Sequence, residues 1–133
     1  MTRASAKQHT GLAHAVELRD HTITVDASAG AGGDNLGPTP QELLTGALAA
    51  CTAITVRMYG ARKRWDLDGL EVVAEARPGE RAACGPFEVT LRVPRDLTDE
   101  QVRRLRVIAS KCPVHRTLAS REACVVEDRV ERI

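Results

Sequence analysis

The chain has 133 residues and a mass of 14.4 kDa, the size of a single domain with room for one modest core. Lys plus Arg number 19 and Asp plus Glu 18, so the net charge is +1, and only 2% of the residues are aromatic: Tyr59, Trp65 and Phe87. Near-neutrality argues against a dedicated nucleic-acid binder, and so few rings leave no stacking platform for single strands.

The first ten residues are polar and no apolar stretch follows them, so they do not read as a signal peptide. No apolar run approaches the roughly 20 residues that span a bilayer. The expectation is a cytoplasmic protein with neither a membrane nor a nucleic-acid partner. In that reducing setting Cys51, Cys84, Cys112 and Cys124 raise thiol chemistry or metal binding before structural disulfides.

Leu12, His14, Val16 and Leu18 alternate with Ala13, Ala15 and Glu17, and a second alternating run covers Thr22 to Asp26. Joined by a turn at Arg19–His21, they predict a hairpin. Residues 27–39 form a glycine-rich loop, read as a mobile connection or lid. It is a poor phosphate cradle: Asn35 stands where the dinucleotide fingerprint needs glycine, and the Gly-Lys-Ser/Thr ending of a P-loop is absent.

Thr39, Pro40 and Glu42 then give a capping signature for a helix over 40–62. Its apolar stripe is read as Leu43, Ala47, Ala50, Cys51, Ile54 and Met58, extended by Leu44 and Leu48. Gly46, Ala47, Ala49 and Ala50 are small enough to admit another backbone, in particular another helix. Alternation predicts strands at 69–77 and 86–93, paired as a hairpin with Cys84 in its loop. Thr98 and Gln101 form a second capping box, opening a helix with Val102, Leu105, Ile108, Ala109 and Cys112 on its apolar stripe. Pro113 ends that helix and can start a short turn over Val114–Leu118. Val125 and Val126 are assigned to a last strand. The expected architecture is α+β, in the order β-β-α-β-β-α-β, as one domain over 1–133.

Two cysteines stand out. Cys51 sits on the apolar stripe of the long helix, where a small core hydrophobe is the ordinary reading. Cys112 precedes a turn whose backbone N–H groups point toward its sulfur, and Lys111, His115 and Arg116 are close in sequence; all favour a thiolate. Helix-end packing is the bland alternative. Cys84 and Cys124 read as incidental. Cys112-x-x-His115 is a single metal-type pair, and structural zinc wants two, so no metal is expected. His9, His14 and His21 read as surface or strand residues, and no Gly-x-Ser-x-Gly supports a hydrolase.

The run GPTPQELLTGALAACTAITVRMYG, followed later by KCPVHRTL, resembles the OsmC/Ohr family of osmotically inducible and organic hydroperoxide resistance proteins. The likeness extends in order over nearly the whole chain. It implies an intertwined α+β homodimer with a long central helix from each subunit and active sites at the interface. It also implies a thiol-dependent hydroperoxide reductase without a cofactor, using an organic hydroperoxide and an external thiol reductant. On this reading Cys51 is the peroxidatic cysteine, passing through a sulfenic acid, and Cys112 resolves it to a disulfide.

The chain departs from the family pattern at two points. Gln41 replaces the glutamate that follows the helix-starting proline, with Glu42 matching a less demanding position. The N-terminal arginine that pairs with that glutamate also has no good counterpart, Arg19 being the nearest. Arg57 and His115 are the candidate substitutes. Without a positive neighbour the Cys51 thiol should ionise less readily and turnover should be slower. Gln41 and Cys51 are ten residues apart on one helix, roughly 15 Å, so any contribution of the helix start would act on the other subunit's thiol. The rival readings are a non-catalytic ligand-binding or redox-sensing OsmC-like protein and a zinc-stabilised structural protein.

Overall fold

Period-two alternation and tight turns build the N-terminal part of the chain. The structure, a computed structural model, describes residues 1–78, 84–120 and 125–133. It divides into two units, Met1–Gly46 and Ala47–Ile133.

In the first unit β1 (Ser5–Thr10), β2 (Ala13–Leu18) and β3 (His21–Val25) form an antiparallel sheet in the order β1-β2-β3. The β2–β3 pair is the expected hairpin, in register from Leu18 against His21 to His14 against Val25, with Arg19 left-handed in its turn at φ 56°. The inward face begins at the fully buried Ala13, whereas Leu12 is exposed. β1 is an addition to the expected elements: Ser-Ala-Lys-Gln-His-Thr carries no apolar alternation, and the strand is held by its pairing with β2.

The glycine-rich loop is organised by one carboxylate. Asp26 is buried and accepts backbone N–H bonds from Ala27 at 2.8 Å, Asp34 at 2.9 Å and Leu36 at 3.2 Å. The amide of Asp34 is the largest influence holding its carboxyl below the usual aspartate range, against the opposing effect of burial. The loop contains a single 3-10 turn at Ala29–Ala31. Two of its glycines serve close backbone approach: a Cβ at Gly33 would strike the carbonyl of Ala27, and one at Gly37 the carbonyl of Thr24.

Helix α1 spans Pro40–Lys63 and continues into the second unit. Thr39 caps it, its hydroxyl accepting from the Glu42 amide at 3.2 Å and donating to the Glu42 carboxylate at 3.1 Å. The helix ends in a Schellman motif: Trp65 N–H bonds Gly60 C=O at 2.9 Å, Arg64 N–H bonds Ala61 C=O at 3.2 Å, and Arg64 is left-handed at φ 58°. By length and composition this helix could cross a membrane, contrary to the expectation of no such run, because Leu, Ile, Val, Cys and Ala keep the mean hydropathy high while interspersed Gly and Thr hide any apolar block.

The buried stripe of α1 differs from the expected one. Leu48, Thr52, Val56, Tyr59 and Gly60 are buried, while Ile54 and Met58 of the expected stripe are 59% and 64% exposed. The helix is apolar on two sides, and periodicity reports apolarity rather than which side the same chain covers.

The rest of the second unit packs on the buried stripe. Strands β4 (Glu71–Ala76) and β5 (Phe87–Arg92) pair antiparallel, Val72 opposite Leu91 and Ala74 opposite Val89. Helix α2 (Asp99–Ala109) opens with the predicted capping box, reciprocal between Thr98 and Gln101. Its Leu105, Ile108 and Ala109 join Val56, Tyr59 and Leu67 in the core, while Val102 is exposed. Helix α3 (Pro113–Ala119) follows directly. The expected last strand is absent at Val125 and Val126, which are exposed and make no ladder, so the observed order is β-β-β-α-β-β-α-α. A two-residue apolar pair followed by the charged Glu127, Asp128 and Arg129 buries too little to hold a strand without a partner edge.

Candidate active site

Cys112 lies at a joint between helices. Its backbone N–H follows the end of α2, and Pro113 forces it to an extended conformation (φ −61°, ψ 138°), which makes it the N-cap of α3. In that position its sulfur does what a serine or aspartate oxygen usually does, accepting the His115 backbone N–H at 3.2 Å. The Thr52 hydroxyl, from the buried stripe of α1, donates to the same sulfur at 3.7 Å. Cys112 is completely buried and Cys51 is half-buried.

The two sulfurs meet. Cys51, one position before Thr52 on α1, lies near enough for each sulfur to shift the other's pKa, and the Val114 amide at the start of α3 acts on both. Thr55, one turn along α1, acts in the lowering direction on the Cys51 pKa. Burial is the largest influence on each sulfur and disfavours the charge. It wins at Cys51, whose pKa is raised. At Cys112 the His115 amide, the Cys51 thiol and the Thr52 hydroxyl together outweigh it, and the pKa is lowered. We assign the negative charge of the reduced pair to Cys112, because the His115 amide and the Thr52 hydroxyl both donate to its sulfur.

Beside the pair opens a cleft of about 520 Å³. Leu48 of α1, Phe87, Val89 and Leu91 of β5 and Leu118 of α3 give it an apolar wall, and Arg106 and His115 are its polar groups of greatest reach. Thr52 and His115, which both hold Cys112, also line it.

The remaining candidates are placed differently. Arg57 is exposed and paired with Asp68 at 3.2 Å; six residues from Cys51, it points to another side of α1. His115 is brought to the pair, and what touches sulfur is its backbone amide. Gln41 and Glu42 belong to the first unit, where Glu42 is engaged with its helix cap. Cys84 is half-buried, and Cys124 lies outside the described residues. Among the described residues, no three metal-donor side chains converge. Thr52 was not singled out in the sequence, although a hydroxyl in line with Leu48 and Val56 signals a buried polar group needing a partner.

A family model described as OsmC-like protein matches residues 32–127, an interval holding both cysteines and their helices. The chain belongs to the OsmC-like family. Solved structures carry the same fold. One is a protein from Psychrobacter arcticus 273-4 assigned to the osmotic stress and detoxification response, with TM-score 0.79 at 18% identity over 88% of each chain. Another is an OsmC like protein from Mycoplasma pneumoniae, with TM-score 0.77 at 16% identity over 92% of this chain and 90% of that one. A third is an organic hydroperoxide resistance protein, OsmC, from Legionella pneumophila, with TM-score 0.67 at 20% identity over 90% and 89%. No curated protein matches the chain. The mixed α+β architecture read from the sequence is therefore that of the OsmC-like proteins.

Proposed function

We propose that this OsmC-like chain is a thiol-dependent hydroperoxide reductase acting on organic hydroperoxides through Cys51 and Cys112. The observation that carries the reading is the pair of neighbouring, mutually interacting sulfurs, brought together from helices far apart in sequence, with Thr52 beside Cys51 donating to Cys112. In the first step the Cys51 sulfur attacks the outer peroxide oxygen as its proton passes to Cys112. The O–O bond breaks, Cys51 becomes a sulfenic acid, and the departing alkoxide takes a proton to leave as an alcohol. The Cys112 sulfur then attacks the sulfenic sulfur, and the hydroxyl leaves as water when the disulfide forms. Two equivalents of an external thiol return both cysteines to the reduced state. The neighbouring cleft, apolar over most of its wall, suits the organic arm of the peroxide.

The Legionella neighbour, named an organic hydroperoxide resistance protein, supports the same direction. The working form is a homodimer. Ile54 and Met58 form an exposed apolar stripe on α1 beside the small Ala47 and Ala50, a surface a second copy would cover. With Arg57 committed to Asp68, turnover is slower than in relatives with a cation at the thiol.

Reduced protein treated with cumene hydroperoxide is expected to consume it and to yield a Cys51–Cys112 peptide disulfide. Peroxide left intact with both thiols free would overturn the assignment. The same Arg57 pairing favours one rival, a redox-silent ligand-binding protein. That rival requires Cys51→Ser to retain ligand affinity with no turnover in either form.

A further inference from the structure

A second cleft, of about 690 Å³, opens at the C-terminal end of α1, on residues the thiol site does not use. The Schellman turn at Arg64 folds Trp65 back so that its ring meets Tyr59 edge-on, with centroids 5.5 Å apart at 73°. Tyr59 is nearly buried, and its hydroxyl accepts Arg104 Nε–H at 3.0 Å. Three cations crowd its ring: Arg104 at 5.6 Å, Lys63 at 5.8 Å and Arg62 at 5.9 Å from the centroid.

Of these, Lys63 and Arg104 line the cleft, together with Arg103, against Glu100 as its one carboxylate. Among the described residues, none of Arg62, Lys63, Arg103 and Arg104 is in an ion pair. The arginines that do pair with a carboxylate, Arg57, Arg77 and Arg92, are not in this cluster. Gathering like charges around one ring costs free energy that an anion in the cleft would recover. The Nε of Arg104 is fixed by Tyr59, which leaves the two terminal nitrogens of a pre-oriented guanidinium for a bidentate acceptor. The rest of the wall sets Tyr59, Trp65 and Val107 beside the neutral polar Thr98 and Gln101, and the volume far exceeds that of an inorganic ion.

We propose that this cleft binds a small organic anion, a carboxylate or phosphate carried on an aromatic or apolar body, with Lys63, Arg103 and Arg104 holding the charged group and Trp65 contacting the body. The hydrogen bond from Arg104, and then the charges of Arg104, Lys63 and Arg62, lower the Tyr59 pKa against the effect of burial, as that cluster of cations requires.

The chain has one tryptophan, and it lines the cleft, so its emission reports occupancy directly and without reference to the thiols. The full chain is titrated with phenyl phosphate, with inorganic phosphate in parallel, while Trp65 emission is followed. The expected result is a saturable change with phenyl phosphate that weakens as salt is raised. Arg103→Gln and Lys63→Gln, both exposed positions whose variants can be checked for an unchanged melting temperature, should each weaken binding at least about tenfold. Arg77→Gln, which removes a charge of the same sign on the strand pair, should leave it unchanged. No saturable change, or undiminished binding in both cleft variants, overturns the site. Equal affinity for inorganic phosphate overturns the apolar-body part of the assignment.

Discussion

Helix α1 meets the α2–α3 segment at two places where an acidic hydrogen is made easier to lose, and the two achieve it by opposite means. At one, Cys112 is surrounded by an amide, a hydroxyl and a thiol, all neutral donors. At the other, some two turns along α1, Tyr59 is held by a guanidinium and flanked by further cations. Dipoles at hydrogen-bond distance act locally and are little affected by salt, whereas cations at a partly open surface act at longer range and are screened. In the proposed reaction the first arrangement would give Cys51 a proton acceptor without drawing anions, which suits an uncharged hydroperoxide. The second is the arrangement proposed to draw anions.

The largest expected effect tests the thiol end. If Cys112 takes the Cys51 proton as well as resolving the sulfenic acid, Cys112→Ser should slow the first oxidation of Cys51 in a single turnover by about a hundredfold or more, the scale of a lost proton acceptor. Trapping the sulfenic acid in the variant with a dimedone probe measures this. A first step of unchanged rate would confine Cys112 to resolution. Thr52→Val should raise the Cys112 pKa by removing a donor, and thiolate absorbance at 240 nm should follow a titration insensitive to salt.

The phenol end should respond the other way. Arg104→Gln removes the largest influence lowering the Tyr59 pKa, so the phenol should titrate at higher pH, read at 295 nm from the chain's one tyrosine. In the unaltered protein, raising the salt should move Tyr59 in the same upward direction while leaving Cys112 in place. Equal salt sensitivity at both would erase the distinction between dipoles and charges.

Asp26 extends the neutral-donor class to the first unit. Three backbone amides hold its carboxyl below the ordinary aspartate range, and they also tie down residues 27–36. Because its folded pKa is depressed, the stabilisation is fully present above the unfolded pKa of about 3.9 and is lost as pH falls through the lower folded value. Asp26→Asn keeps the size but offers one acceptor oxygen in place of two, and should lower the melting temperature at pH 7 by roughly 5 °C. The loss should shrink in acid, where the native aspartate is itself protonated, and calorimetry across pH would detect a loss that fails to shrink.

How far these arrangements are written in the sequence depends on whether the signal is local. Thr98 and Gln101 announce the start of α2, and Cys-Pro announces a stop followed by a fresh helix whose amides reach the sulfur; both were legible because each involves a few adjacent residues. The family motif pointed to the thiol pair, but chain order alone could not reveal that the Cys51 pKa is raised and the Cys112 pKa lowered, since that depends on Thr52 and Val114 arriving from different helices. The stripe centred on Ala50 and Ile54 was mistaken for the face α1 buries in its own chain, because both sides of the helix are apolar. Strand β1 escaped notice because its support is a neighbour's ladder rather than a hydrophobic pattern. The cationic cleft was invisible for a related reason: Tyr59, Trp65 and Arg104 are commonplace until a Schellman turn and a helix pairing gather them.

That turn supplies the smallest prediction and a control on the rest. Arg64 occupies the left-handed position at φ 58°, where a side chain is strained and glycine is not. Its backbone bonds, rather than its side chain, set the direction of Trp65. Arg64→Gly should therefore stabilise the protein by about 0.5–1 kcal/mol, the relief of one Cβ from that region, offset in part by the greater freedom of glycine when unfolded. If the cleft depends on the turn's geometry and on the charges of Lys63, Arg103 and Arg104, the same variant should keep its Trp65 response to phenyl phosphate. A stabilised protein that has lost the response would show that Arg64 itself contributes charge to the cleft. A destabilised one would mean that its side chain supports the turn by contacts outweighing the backbone strain.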